Sequence, residues 1–470
     1  MARESWTGRI GFVLAAAGSA VGLGNLWRFP WITAENGGSA FLLVYLGIVL
    51  AVGVPGLLAE FVIGRRSQKS PVGALRDLSG SRNWGHVGLL TVVAGLVLLS
   101  FYSVVGGWIL RYLVASPTGA YFGDPGAYFG SISFGLEAAG FHVLFLLLTA
   151  GVVYGGVRDG IERATTVMMP VVFLALIGLS VWVSGLSGAE EAYTFYLSFD
   201  VGAIQDSFLD IVLAAAGQAL FTLSVGAGTM ITYASYVGED RSLPADATLV
   251  AVLNTSVGVL AGLVVFPLLF STPGADVETS GPGALFVGVA TAFSELPAGR
   301  LAAAGFFAVV ALAALSSSIS MLEIVVAYLV DERDRSRQEA VLGVVGIVLV
   351  TGTASAFTPE LFEALAGPVV DFVLTTGLFA FVVFAAWVLG GAAVDEFGRG
   401  AQFSAGLGDA WRLLVGVVIP PFLAFTLLVG VFELFGVTLP SWQLGLAGTA
   451  VAGTVIALVR WTRDATGAAA

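Results

Sequence analysis

Twelve stretches of mainly apolar residues, most about 20 long or longer, fill most of this chain, and they constrain its fold more than any other feature. A helix needs roughly 20 such residues to cross the hydrocarbon core of a bilayer, where every backbone polar group must find its partner inside the protein. The stretches run over 10–32, 40–63, 88–114, 141–157, 164–184, 209–237, 245–271, 303–330, 339–357, 366–391, 411–436 and 440–460. Only 11% of the 470 residues are charged, against 57% hydrophobic, and a soluble domain carries roughly 25% charge. The chain is therefore expected to be an all-α polytopic membrane protein with twelve transmembrane helices. The first stretch is too long for a cleaved signal peptide, lacks a small-residue cleavage site, and runs into Asn25, Arg28 and Pro30.

Composition closes off several functions. There is no cysteine, which excludes disulfides, thiol nucleophiles and Cys-ligated zinc. Two histidines, His86 and His142, are too few for a His-rich metal site. The formal net charge is −12, and Lys69 is the only lysine. Such a chain lacks the basic patch that a nucleic-acid partner would want. An acidic, lysine-poor surface resembles that of proteins from salt-loving organisms, where screening makes charge repulsion cheap. The basic residues also set orientation. With the N-terminus in the cytoplasm, 17 of the 20 fall on the cytoplasmic side, leaving Arg28, Arg111 and Arg300. Both termini are thus expected in the cytoplasm, with the chain in the cell membrane. On the outer side, the apolar piece Ala284 to Phe293 is expected to form a short helix over the mouth.

Two spans carry breaks. The first reads Gly18-Ser-Ala-Val-Gly-Leu-Gly-Asn25, followed by Arg28 and Pro30. Each glycine weakens a helix by about 1 kcal/mol. Glycines alone fit close helix packing equally well; Asn25 and Arg28 tip the reading toward a cavity, because polar groups at that depth are costly in lipid. The sixth span reads Gln218 to Gly228, and its Val225-Gly-Ala-Gly228 echoes Val21-Gly-Leu-Gly24. The two breaks lie five spans apart, so the second copy crosses the membrane in the opposite direction. Gly-interrupted helices in corresponding positions of inverted repeats are a transporter signature, and they expose carbonyls for a cation and N–H groups for a carboxylate. The eighth span adds Ala313-Ala-Leu-Ser-Ser-Ser318, then Ser320, Met321 and Glu323. One serine could simply bond back to its own helix; three in a row cannot all avoid the protein interior. Hydroxyl and carbonyl oxygens suit a hard cation.

These runs carry a resemblance. Arg9 to Pro30, Glu35-Asn-Gly-Gly38, Gly160-Ile-Glu-Arg163, Gln218 to Gly228, Ile231 to Tyr236 and Leu315-Ser-Ser-Ser318 resemble the neurotransmitter:sodium symporter family, including related prokaryotic hydrophobic amino-acid symporters. The likeness covers nearly the whole chain. It implies the leucine-transporter-type fold, an inverted 5+5 repeat plus two C-terminal helices. Residues 1–184 would be the first repeat, 185–208 an extracellular loop, 209–391 the second repeat, and 411–470 the last two spans and a cytoplasmic tail. It also implies Na+-coupled symport of a neutral amino acid by alternating access, through a monomer or weak dimer.

By the same resemblance, one sodium site would use Ala20, Asn25, Thr222 and Asn254, and a second Gly18, Val21, Ala313, Ser316 and Ser317. The substrate would be held by Ala20, Val21, Leu23, Gly24, Leu98, Tyr102, Phe221, Thr222, Ser224, Ala227, Ser317 and Met321. Arg28 and Asp371 would form an outer gate, and Arg3 and Asp331 an inner one, supported by Trp6, Ser235 and Tyr236. Glu60 is expected to bond to the unwound part of span six. Two positions depart from the pattern. Tyr45 and Gln218 match family chloride-site positions, but Gly258 stands where a serine or an acid is expected, near Thr255 and Ser256, which leaves the chloride requirement open. Ala227 stands where the leucine transporter has an aromatic residue, which points to a large apolar or aromatic substrate.

Other functions fit less well. A channel asks for a continuous polar ring, and an intramembrane enzyme for a catalytic pair at depth; here Glu60 and Glu323 each stand alone in their stretches. A non-transporting amino-acid receptor with the same fold is the remaining alternative.

Overall fold

The computed structural model describes residues 4–198, 207–272, 283–400 and 405–434, with a few isolated positions between and beyond them. The described elements are all helical. Those that make up the spans are α1 (Arg9–Ala20), α2 (Gly24–Glu35), α3 (Ser39–Ser67), α4 (Arg82–Ala115), α5 (Leu136–Tyr154), α6 (Val157–Val183), α7 (Phe208–Thr222), α8 (Thr229–Ala234), α9 (Leu243–Phe270), α10 (Gly299–Arg333), α11 (Arg337–Phe357), α12 (Pro359–Leu389) and α13 (Gly406–Phe432).

Among the described residues, nine of these are long and apolar enough to cross a bilayer, and the α1–α2 pair, bent by 46°, makes a tenth span. The expected sixth span is the α7–α8 pair. Its pieces of 15 and 6 residues are each too short to cross alone, because the break falls inside the span. The expected twelfth, 440–460, lies almost wholly outside the described residues. The short outer helix expected around Ala284 is present as Ala284–Glu295.

Burial sorts the helices into a centre and a rim. α10 is the central pillar, with 89% of its most apolar window buried, whereas the figure for α6 is 28% and for α5 and α13 33%. The exposed leucines and valines of the rim, such as Leu147, Leu174, Val181 and Val350, are lipid-facing surface. They would be an aggregation liability only in a water-soluble protein.

One crossing depends on glycine. Gly226, in the chain between α7 and α8, has φ of +89°, and a Cβ added there would lie 1.9 Å from the Leu374 carbonyl oxygen of α12. From the other side, a Cβ on Gly377 would lie 1.9 Å from the Gly226 carbonyl oxygen. Backbone meets backbone here. Gly226→Ala is therefore expected to destabilise the protein by roughly 2–4 kcal/mol through strain and overpacking. Gly178→Ala, on an open face of α6, should be neutral or stabilising by up to about 1 kcal/mol. Thermal unfolding in detergent would read both; equal melting temperatures for the two variants would refute the crossing.

Candidate functional site

The first break releases carbonyls. α1 ends at Ala20, and Val21 is extended at φ −74°, ψ 108°. The N–H groups that would have bonded back to α1 go elsewhere: Gly22 donates to Asn25 Oδ1 at 3.1 Å and Leu23 to Tyr102 Oη at 3.0 Å. Gly18, Ser19, Ala20 and Val21 thus present carbonyl oxygens buried in the protein, and each must find another partner.

The hydroxyls of α10 supply most of those partners. Ser316 Oγ donates within reach of Gly18 O at 2.6 Å, Ala313 O at 2.8 Å and Val21 O at 3.2 Å. Ser317 Oγ reaches Ser19 O at 2.9 Å and Val21 O at 3.2 Å. The carbonyls of Gly18, Val21 and Ala313 and the two hydroxyls therefore converge as five neutral oxygens. Two further serines join the seam: Ser19 Oγ donates to Ser320 Oγ at 2.8 Å, and Ser224 Oγ to Ser19 O at 2.9 Å.

A second oxygen cluster lies beside α9. Asn25 Nδ2 donates to Asn254 Oδ1 at 2.9 Å. The same Asn254 oxygen also lies close to the carbonyl oxygens of Ala20 and Thr222. With the amide's oxygen and nitrogen exchanged, it would donate to Ala20 O at 3.1 Å, Thr222 O at 3.0 Å and Asn25 Oδ1 at 3.3 Å. A small cation among these oxygens relieves the same crowding without the exchange. The described residues contain no cluster of three or more His, Cys, Asp or Glu, so any cation held here is held by carbonyls, amides and hydroxyls. That donor set fits sodium.

The second break adopts its shape through left-handed backbone at Ser224 (φ 52°), Gly226 and Gly228 (φ 78°). Glu60 of α3, fully buried, accepts the Gly226 N–H at 2.6 Å, as expected. Gln218 Nε2 donates to Gly24 O at 2.7 Å, tying one break to the other. Gly258 adds no polar group of its own: a Cβ there would sit 3.7 Å from Asn25 Nδ2 and 3.8 Å from Phe29.

Between the breaks lies a small cavity of about 20 Å³. Of the residues expected at a substrate site, Ala20, Gly24, Leu98, Tyr102, Phe221, Ser224, Ala227, Ser317 and Met321 line it. Val21, Leu23 and Thr222 are not in the lining. Gly22, Thr229 and Leu374 line it and were not foreseen. Gly22 is there because a Cβ would lie 2.1 Å from Ser317 Oγ and 2.6 Å from Tyr102 Oη, contacts that its own stretch of sequence does not announce.

Both sides of the cavity are capped. On one side Arg28 pairs with Asp371 through two hydrogen bonds of 3.0 and 2.8 Å, and the Arg28 guanidinium lies 5.0 Å over the Phe221 ring. On the N-terminal side Trp6 Nε1 donates to Tyr233 O at 2.9 Å, and the indole packs edge-on against Tyr233 and Tyr236. Ser235, buried, donates to Thr232 O at 2.6 Å. Asp331 accepts the Ser70 N–H at 2.7 Å; its expected partner Arg3 lies outside the described residues. Glu323, which stands alone in its stretch, has partners distant in sequence. Tyr236 Oη donates to it at 2.8 Å and Arg337 pairs with it at 2.5 Å. Glu162 holds Thr7 through the Thr7 N–H at 3.0 Å. No local pattern points to either contact.

A model of the sodium:neurotransmitter symporter family matches residues 3–121 and 130–461. An uncharacterized sodium-dependent transporter of Bacillus subtilis is 38% identical over 339 residues, 71% of this chain and 74% of the relative. Another from Methanocaldococcus jannaschii is 33% identical over 444 residues, 89% of each chain. The crystal structure of MhsT in complex with L-phenylalanine superposes with a TM-score of 0.82 at 37% identity, covering 91% of this chain and 100% of that one.

The Glu323–Arg337 pair is a test of the cap on the N-terminal side. Glu323 is fully buried, so Arg337→Gln should cost roughly 3–5 kcal/mol by stranding its carboxylate. The double variant Glu323→Gln, Arg337→Gln should recover most of that loss. Denaturant unfolding of the three variants checks it, and additive losses would argue against a coupled pair.

Proposed function

Because the chain belongs to the sodium:neurotransmitter symporter family, and is thus a multi-pass, sodium-coupled membrane transporter and not an enzyme, we propose that it imports a neutral amino acid together with two sodium ions. Large apolar or aromatic side chains are preferred. Support for that class comes from the cavity wall at Ala227 and Met321, and from the related structure solved with L-phenylalanine.

The observation that carries the reading is the set of carbonyls freed at Gly18 to Val21 and met by Ser316 and Ser317. One sodium takes Gly18, Val21, Ala313, Ser316 and Ser317, in place of the hydroxyl protons now satisfying those carbonyls. The other takes Ala20, Asn25, Thr222 and Asn254, with the substrate carboxylate completing its shell. Leu23, Gly24 and Tyr102 hold that carboxylate; carbonyls near Ala20, Phe221, Thr222 and Ser224 hold the ammonium. Because this sodium touches the substrate, each strengthens the other's binding by the same factor.

Alternating access follows from the two caps. Parting Arg28 from Asp371 lifts the restraint on Phe221 and opens the outer side. Loss of the sodium between α1 and α10 loosens α1, and with it Trp6, toward the cytoplasm. Residues 1–184 and 209–391 act as inverted repeats, and both termini face the cytoplasm of the cell. Each net positive charge carried inward gains about 2.3 kcal/mol per 100 mV of inside-negative potential.

Proteoliposomes test the function. An inward sodium gradient should drive accumulation of a labelled amino acid; binding without accumulation would make the protein a receptor. Ser317→Ala should raise the half-saturating sodium concentration about tenfold, the equivalent of about 1.4 kcal/mol for one lost ligand. An unchanged sodium titration would remove Ser317 from the site.

A further inference from the structure

We propose that Thr229 reads a hydrogen-bonding group on the substrate's side chain, so that the site favours an indole or a phenol over a wholly apolar ring. The proposal rests on the amino-acid reading above and specifies the substrate within it.

The cavity has two chemically different ends. Near the first break it is walled by Ala20, Gly22, Gly24, Tyr102 and Ser317, where backbone and hydroxyl groups crowd together. The rest of the lining is Leu98, Phe221, Ala227, Met321 and Leu374, which are apolar, together with Ser224 and Thr229. Gly228, next to Thr229, packs against Thr91 of α4, well along that helix from Tyr102. Thr229 is therefore the hydroxyl placed among apolar neighbours, away from the groups that hold a carboxylate and an ammonium.

Its hydroxyl is also free. The two serine hydroxyls in the cavity wall are engaged, Ser224 with Ser19 O at 2.9 Å and Ser317 with Ser19 O at 2.9 Å. Threonines within the helices bond back one turn, as Thr149 does to Phe145 O at 3.0 Å and Thr375 to Asp371 O at 2.7 Å. Thr229 opens α8, so the residue one turn back is Val225, in the unwound stretch, and the usual acceptor is out of position. Thr229 is only 1% exposed, and its hydroxyl makes no hydrogen bond among the described residues. A buried hydroxyl without a partner is unfavourable, and the cavity it lines is where one can arrive. Ala227, in the lining beside Thr229, carries only a methyl group, so nothing bulky at that position bars the approach.

The consequence is selectivity. A site with a polar group waiting for a substrate N–H or O–H discriminates against the analogue that lacks it, because the group is then left unpaired. The experiment is competition of unlabelled tryptophan, tyrosine, phenylalanine and leucine against tritiated phenylalanine, on the full-length protein in detergent at saturating sodium. The wild type should bind tryptophan or tyrosine more tightly than phenylalanine. Thr229→Val, close in shape, should reduce that preference roughly five- to tenfold while changing phenylalanine affinity less than twofold. Thr229→Ser should retain it. A wild type that ranks phenylalanine above both others overturns the proposal whether or not the variants fold. So does a Thr229→Val protein in which all four affinities shift together or none does. Failure of the wild type to bind any of the four amino acids would instead overturn the amino-acid reading itself.

Discussion

A buried carbonyl that has lost its helical partner is the constraint around which this molecule is built. In lipid an unsatisfied backbone group costs several kcal/mol, so a helix can break at mid-membrane only where other groups stand ready. Here they do so on every side. Ser316 and Ser317 approach from α10, Tyr102 from α4, Glu60 from α3, and Asn254 from α9. The helices contributing these groups are the ones packed around the breaks, and α10, with two of the serines, is the most buried of the nine described unbroken spans. Fold and site are in this sense one problem: the scaffold is what makes two unwound segments tolerable.

Charge is used by depth. Glu323 and Arg337 meet beneath the Trp6 cap, where removing one partner strands the other. In the Arg28–Asp371 pair the carboxylate is the accessible partner, its side chain 36% exposed, which would suit a contact that opens. At the surface, the Arg76 guanidinium and then the Lys69 ammonium hold the Asp77 carboxyl below its ordinary range. That cluster is well exposed and adds little stability. The cap near the N-terminus thus has a tightly bound base, and the opposite cap a pair that water can reach.

Much of this was legible in the sequence because it depends on local composition. Apolar stretches longer than a bilayer's width announce the spans, and Gly-rich runs flanked by Asn25 and Gln218 announce the breaks. The triple serine announces the oxygen-rich face of α10. What local reading missed depends on contacts between distant segments. Glu323 looked isolated because Arg337 follows it by 14 residues and Tyr236 precedes it by 87. Thr229 carries no local mark, since its distinction is the acceptor that the unwound stretch fails to offer. Gly22 read as a helix weakener, while its tighter role is to leave room for Ser317 and Tyr102.

Ser19 shows how short the line of communication between the two halves is. Its carbonyl accepts from Ser224 of the second break and from Ser317 of α10, and its hydroxyl donates to Ser320. One residue is therefore shared by the seam that would hold an ion and the wall that would hold a substrate. Any rotation of that peptide plane is felt on both sides at once. A direct path between the two sets of residues therefore runs through one peptide unit.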